Sequence, residues 1–162
     1  MADTLSLLGT LVGTRLKERG MVLTCAESCT GGWVAQTVTA VAGSSAWFDR
    51  GFVTYSNEAK QEMLGVPGAT LERHGAVSEE TARAMAVGAL THAQANVALS
   101  VTGIAGPSGG SAEKPVGMVC FGWAGGGREP STETKYFDGD REAVRRQSVI
   151  HALQGVLAIL DS

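Results

Sequence analysis

Thr24-Cys25-Ala26-Glu27-Ser28-Cys29-Thr30-Gly31-Gly32 is the stretch on which the reading of this chain turns. Three β-forming residues, Met21, Val22 and Leu23, run into it, and Trp33, Val34, Val38 and Val41 leave it at helical spacing. The pattern predicts a buried strand over 21–26, a tight turn, and a helix over 31–42. Such a turn stands at the carboxyl end of a strand, and the first N–H groups of the helix point at whatever binds there. Ser28 therefore has two readings, a nucleophile or a helix-starting hydroxyl. Thr30 competes with it for the capping role.

Outward from that turn, Leu5, Leu8, Val12 and Leu16 mark a first helix that Gly20 ends. After the second helix, Phe48–Tyr55 reads as a strand, Asn57–Leu64 as a short helix closed by Gly65 and Pro67, and 66–77 as a loop. Ser78 starts a helix with Glu79 and Glu80 in its first turn, and its alanine-rich stripe (Ala82, Met85, Ala86, Ala89) suits close packing on a sheet. Val97–Val101 is an apolar run typical of a central strand, followed by the glycine-rich loop Thr102–Gly110. Val116–Trp123 and Thr132–Phe137 read as two more strands joined by the glycine turn at 125–127, and Asp140 caps a last helix. The order α-β-α-β-α-α-β-β-β-α predicts an α/β fold: a three-layer α/β/α sandwich around a mixed, mostly parallel sheet, forming one domain over 1–162.

With 162 residues, 44% hydrophobic and 18% charged, the chain is long enough for a sizeable core. A net charge of −3 offers no basic surplus for nucleic acid or an anionic membrane. No apolar run approaches the length of a membrane span and the acidic start is unlike a secretory signal. Three cysteines, Cys25, Cys29 and Cys120, without a C-x-x-C pair suit free thiols in a reducing cytoplasm.

Several chemistries drop out on spacing. There is no P-loop and no dinucleotide fingerprint. His74, His92 and His151 stand apart, without metal-ligand spacing. Gly106-Pro107-Ser108-Gly109-Gly110 matches G-x-S-x-G, but a loop and a strand follow it where a nucleophile elbow needs a helix.

What remains is Ser28 after the first strand, and Tyr55 and Lys60 after the second. If those strands are neighbours, the three converge at one edge of the sheet, where open α/β sheets bind ligands. A serine needs a base to become a nucleophile, and a lysine serves only when desolvation or a nearby cation lowers its pKa. Tyr55 would relay a proton or hold the lysine. A solvated Lys60 and a Tyr55 that only packs against the strand edge are the plainer alternative. Donors for an oxyanion come either from Thr30, Gly31 and Gly32 or from Gly103–Gly106. The Gly103–Gly110 loop is either a surface turn or a backbone cradle for phosphate or sugar. Arg141 and Arg145 share a helix face, and Arg141 can meet a phosphate, unless both are simply solvated. Glu27 could contact a ribose hydroxyl, orient Lys60 or cap a neighbouring group.

Five motifs in order carry a family resemblance: Ala26–Gly32, Gly43-Ser44-Ser45-Ala46-Trp47-Phe48, Gly51–Lys60, Gly75-Ala76-Val77-Ser78 and Thr102-Gly103-Ile104-Ala105-Gly106-Pro107. They resemble the CinA C-terminal domain family, whose members include bacterial nicotinamide-nucleotide amidases, from about Val22 to Arg146. The resemblance implies hydrolysis of the carboxamide of nicotinamide mononucleotide to nicotinate mononucleotide and ammonia, in pyridine-nucleotide salvage. It implies an α/β/α fold, no metal or other cofactor, and a homodimer. The family's nucleophile maps onto Ser28 and its partners onto Tyr55 and Lys60. Ser45, Thr102, Gly103, Ala105, Gly106, Arg141 and Arg145 resemble family positions near the ligand. Larger members carry an additional N-terminal domain, and its activity is not expected here. The alternatives are a nucleotide-binding module without turnover, an interaction module linked to competence or DNA damage, and an enzyme for another nucleotide amide.

Overall fold

The computed structural model describes residues 3–162. Helix α1 (Thr4–Arg19) is capped by Asp3, whose carboxylate accepts from the Ser6 amide at 2.8 Å, and ends at Gly20 in the left-handed region. Strand β1 (Leu23–Glu27), helix α2 (Trp33–Thr39), a 3-10 turn (Ser44–Ala46), strand β2 (Phe48–Val53) and helix α3 (Asn57–Leu64) follow. Then come α4 (Gly68–His74), α5 (Glu79–Thr91), β3 (Val97–Gly103), β4 (Met118–Gly125), β5 (Arg128–Tyr136) and α6 (Arg141–Leu160).

The five strands form one sheet in the order β2-β1-β3-β4-β5. β1 pairs in parallel with β2 and β3, while β4 is antiparallel to both β3 and β5. Four strands thus run one way and β4 runs against them, the mixed and mostly parallel sheet expected. Register decides where the site falls. Glu27 stands opposite Val53 on one side and Val101 on the other. The next residue of each strand, Ser28, Thr54 and Thr102, therefore emerges at the same carboxyl edge.

The two faces of the sheet differ in side-chain size. Leu23, Leu99, Val101 and Phe121 point to a layer made by α1, α2 and α6, where Leu8, Val12, Leu16, Val34, Val38, Val149, Leu153 and Val156 are buried with them. The alternate residues Ala26 and Ala98 face Leu64, Leu71, Met85 and Ala89 of α3, α4 and α5. Small residues let α5 lie close. The Ser100 hydroxyl donates to the Ala82 carbonyl at 2.5 Å, and a Cβ on Gly122 would sit 2.5 Å from that same oxygen. Only glycine fits there, which accounts for both the alanine stripe and the glycine inside a core strand.

One helix and several boundaries differ from the sequence reading; β1 and β4 begin later, at Leu23 and Met118, and β2 ends earlier, at Val53. Residues 68–74 form helix α4 where a loop was expected, because Leu71 and Val66 bury against α5 and supply a packing gain that local composition does not display. β5 begins at Arg128, earlier than its apolar alternation suggests, since ladder pairing with β4 needs no apolar residue. α2 starts at Trp33, because Gly31 and Gly32 take φ values of +59° and +103° that no helix continues through. Among the described residues no helix is long and apolar enough to cross a membrane.

Candidate active site

The β1–α2 turn is pinned to both neighbouring strands. The Ser28 amide donates to the Val101 carbonyl at 3.0 Å, and the Thr54 amide donates to the Glu27 carbonyl at 2.8 Å. Helix α3 then begins at Ser56, whose hydroxyl accepts from the Ala59 amide at 3.0 Å. That cap sets the helix phase so that Lys60, one turn in, points inward. Lys60 is 1% exposed, the largest of the fully buried side chains. Its Nζ lies 3.0 Å from Ser28 Oγ and donates to the Thr54 carbonyl at 2.7 Å.

Among the described residues no carboxylate is within ion-pairing distance of Lys60. Burial without a counter-charge penalises the ammonium form, so desolvation lowers the Lys60 pKa from its ordinary 10.5. The opposing influence comes from Cys29 and needs a thiolate. Burial pushes that thiol up to about 12, so the opposition vanishes near neutral pH. Cys29 belongs to the core cluster beside Val34 and Val38. The site thus holds a protonated core thiol next to a serine hydroxyl in contact with a buried amine.

Ser28, Lys60, Tyr55, Thr102 and Arg141 line one cavity of about 280 Å³. A second hollow of about 460 Å³, between Pro107, Val116 and Asp140, shares Ala105 and Arg141 with it. Arg141, in the first turn of α6, donates to the Gly106 carbonyl at 2.8 Å and to the Tyr55 hydroxyl at 3.2 Å. Tyr55 is 65% exposed. Its hydroxyl meets Arg141; the group that holds the lysine is the Thr54 carbonyl. Gly103 and Ala105 also line the cavity, whereas the Thr102 hydroxyl donates to the Ala76 carbonyl at 2.8 Å and steadies the loop before α5.

Other expected positions fall elsewhere. Ser45 is exposed in the 3-10 turn before the amino end of β2, roughly 20 Å of strand away from the carboxyl edge. Arg145 stays off the cavity: it donates to the carbonyls of Cys29 and Thr30, both at 3.1 Å, and its guanidinium stacks 5.6 Å from the Trp33 ring centroid. The amides proposed for the oxyanion at Gly31 and Gly32 are engaged, the first by the Ser28 carbonyl at 3.1 Å and the second by Glu27 at 3.2 Å. Thr30 does not cap α2. Its hydroxyl donates to Glu27 at 2.6 Å, and Glu27 itself takes the helix amides. Glu27 therefore reaches neither a ribose nor Lys60. Cys29 also lines the cavity, and Ala76 and Val77 complete its wall, which spacing alone could not reveal because those two precede α5 and arrive through the packing of that helix. Among the described residues no three His, Cys, Asp or Glu side chains gather as metal ligands.

The chain is 60% identical over 146 residues to the nicotinamide-nucleotide amidohydrolase PncC of Enterobacter agglomerans, covering 90% of this chain and 89% of that one. It is 60% identical over 143 residues to the protein of the same name from Escherichia coli K12, covering 88% and 87%. Its fold superposes with a TM-score of 0.94 on the competence/damage inducible protein CihA of Agrobacterium tumefaciens, at 45% identity over 98% of this chain and 97% of that one. The family model described as the CinA C-terminal domain matches residues 6–160, and the chain belongs to that family.

Proposed function

We propose that this protein is an amidohydrolase that converts nicotinamide mononucleotide to nicotinate mononucleotide and ammonia in pyridine-nucleotide salvage. The observation that carries the proposal is the buried Lys60 amine, without a carboxylate beside it among the described residues, 3.0 Å from the Ser28 hydroxyl at the wall of a cavity. The amidohydrolase names of relatives 60% identical over nearly the whole chain support the substrate.

The neutral Lys60 amine accepts the Ser28 proton while Ser28 Oγ adds to the carboxamide carbon. The resulting tetrahedral oxyanion needs N–H donors. The amide of Cys29, a residue that lines the cavity, donates to no carbonyl or carboxylate among the described residues and is the donor this reading assigns to it. Lys60, now an ammonium, returns its proton to the amide nitrogen. The C–N bond breaks, ammonia leaves, and the nicotinoyl group stays on Ser28 as an ester. Water enters, gives a proton to Lys60 and adds to the ester carbon. The Ser28–acyl bond then breaks, and Ser28 recovers its proton from Lys60. Throughout, the Thr54 carbonyl holds the amine in place. Arg141, at the junction of the two hollows, is the cation placed to take the phosphate.

Ammonia release from nicotinamide mononucleotide, measured beside the riboside and the dinucleotide, tests this reading. Turnover of the mononucleotide that Ser28→Ala abolishes is expected. Tight binding with no ammonia would make the protein a nucleotide-binding module, and full turnover by Ser28→Ala would remove the nucleophile assignment.

A further inference from the structure

Ser28 and Cys29 face the cavity from the Ser28–Gly32 turn, while the inner side of that turn rests on a single carboxylate. Glu27 is 0% exposed. Its Oε1 accepts from the Thr30 hydroxyl at 2.6 Å, the Gly32 amide at 3.2 Å and the Val34 amide at 2.9 Å. Its Oε2 accepts from the Ala35 amide at 3.0 Å and faces the Cys25 thiol at 3.8 Å. Every one of these donors lies in β1, in the turn or at the start of α2. We infer that Glu27 is the positioning residue of this site: it holds the turn in the shape that sets Ser28 against Lys60 and leaves the Cys29 amide for the oxyanion. The inference rests on the proposed amide hydrolysis at Ser28.

The turn's own bonds explain how. A trans peptide is planar, so its C=O and N–H point in opposite directions. The Gly31 amide holds the Ser28 carbonyl, which fixes the direction of the Cys29 N–H. Arg145 holds the Cys29 carbonyl, which turns the Thr30 N–H away from Arg145. Both peptides are locked only while the turn keeps its course, and that course is set by Glu27 gathering Thr30, Gly32, Val34 and Ala35 around one buried anchor. A left-handed Gly31-Gly32 pair has wide conformational freedom without such an anchor. Glu27 also absorbs the first amides of α2, so those amides serve an internal carboxylate and not the substrate.

The test measures kcat and KM for ammonia release from nicotinamide mononucleotide across neutral to alkaline pH. The variants are Glu27→Gln, Thr30→Val, Thr30→Ser and Ser28→Ala, each checked for folding by urea denaturation. Glu27→Gln keeps the shape but replaces an acceptor with a donor. It should lower kcat by about 10–100-fold, approaching the loss of one oxyanion donor. KM should stay within about threefold, and the acidic limb of the pH profile should keep its position. Thr30→Val, which removes one bond to Glu27, should lose about tenfold in kcat, and Thr30→Ser should restore it. Retention of kcat within about twofold by both Glu27→Gln and Thr30→Val overturns the inference. So does a loss confined to KM, or a displaced acidic limb that would place Glu27 on Lys60. Should Glu27→Gln fail to fold, the Thr30→Val and Thr30→Ser pair decides alone. An inactive Ser28→Ala beside a fully active Glu27→Gln sinks this inference only; an active Ser28→Ala sinks the hydrolysis at Ser28 itself.

Discussion

Arg141 donates to the Tyr55 hydroxyl at 3.2 Å and so ties the first turn of α6 to the segment that follows β2, across the mouth of the cavity. A second bond, to the Gly106 carbonyl at 2.8 Å, fixes the same guanidinium to the glycine-rich loop. Two of its edges are thus spent on the protein, and the remaining N–H groups stand where the two hollows meet.

Arg141→Ala should raise KM for nicotinamide mononucleotide by about 10–100-fold, the range for losing a hydrogen bond to a charged group, with a smaller change in kcat. Activity on the riboside, which has no phosphate, should move far less. Steady-state kinetics on the two substrates check this. An equal loss on both would show that Arg141 organises the loop and does not read the phosphate.

Arg145, one helical turn further along α6, should behave in the opposite way. It holds the carbonyls of Cys29 and Thr30 and does not line the cavity. Arg145→Ala should therefore lower kcat by about tenfold or more, through loss of two charge-assisted bonds to the nucleophile turn, while leaving KM nearly constant. The kcat-to-KM split of the two arginine variants, measured side by side, separates these roles.

As the proposed base, Lys60 is competent only when neutral. Since burial lowers its pKa from 10.5, kcat/KM should rise with pH along a single acidic limb whose midpoint lies below that value. Lys60→Met should lose at least about a hundredfold and abolish the limb. Lys60→Arg should be as inactive, because a guanidinium does not deprotonate in this range. A full pH–rate profile of the three proteins is the measurement.

The same shift has a consequence for stability. The folded-state pKa of Lys60 is depressed, so between that pKa and 10.5 the unfolded chain binds the extra proton. Stability therefore rises with pH across this window, and below it the folded state carries the full cost of a buried ammonium. Lys60→Met should be more stable than the wild type at neutral pH and should lose this dependence. Urea midpoints measured at several pH values would show it; a parallel pH dependence in the variant would refute the assignment.

Cys29→Ala should keep most of the activity. The thiol sits in the core, burial holds its pKa up at about 12, and almost none is thiolate near neutral pH. Iodoacetamide should likewise leave ammonia release unchanged. Inactivation by either route would shift the nucleophile one residue along the turn.

Much of the fold was legible because its signals are local. The strand-turn-helix at Thr24–Gly32, the Gly20 stop, the Asp140 cap and the apolar runs of β3 and β4 each announce themselves within a few residues. Helix α4 was not legible, because its formation depends on Leu71 finding a pocket made by α3 and α5. Ser28, Tyr55 and Lys60 were singled out from residue type and their places after two strands, but residue type could not assign their contacts. The Lys60 anchor is a backbone carbonyl, and every residue has one. Glu27 sits next to Ser28 in sequence and faces the opposite way, since successive side chains alternate along a strand.

The sequence by itself determined every element but α4, the α/β class, the polar turn at the end of an apolar strand and the motifs shared with the CinA C-terminal domain family. Those follow from periodicity, turn chemistry and residue identity. Only the tertiary structure decided that β2 and β3 flank β1, with Val53 and Val101 both opposite Glu27. From that register follow the meeting of Ser28 with Lys60 and the burial that lowers the lysine's pKa. It also decided which arginine faces the cavity and which braces the turn. Distances between segments far apart in the chain are set by strand register and helix packing, and the free energy that selects them is spread over the whole core.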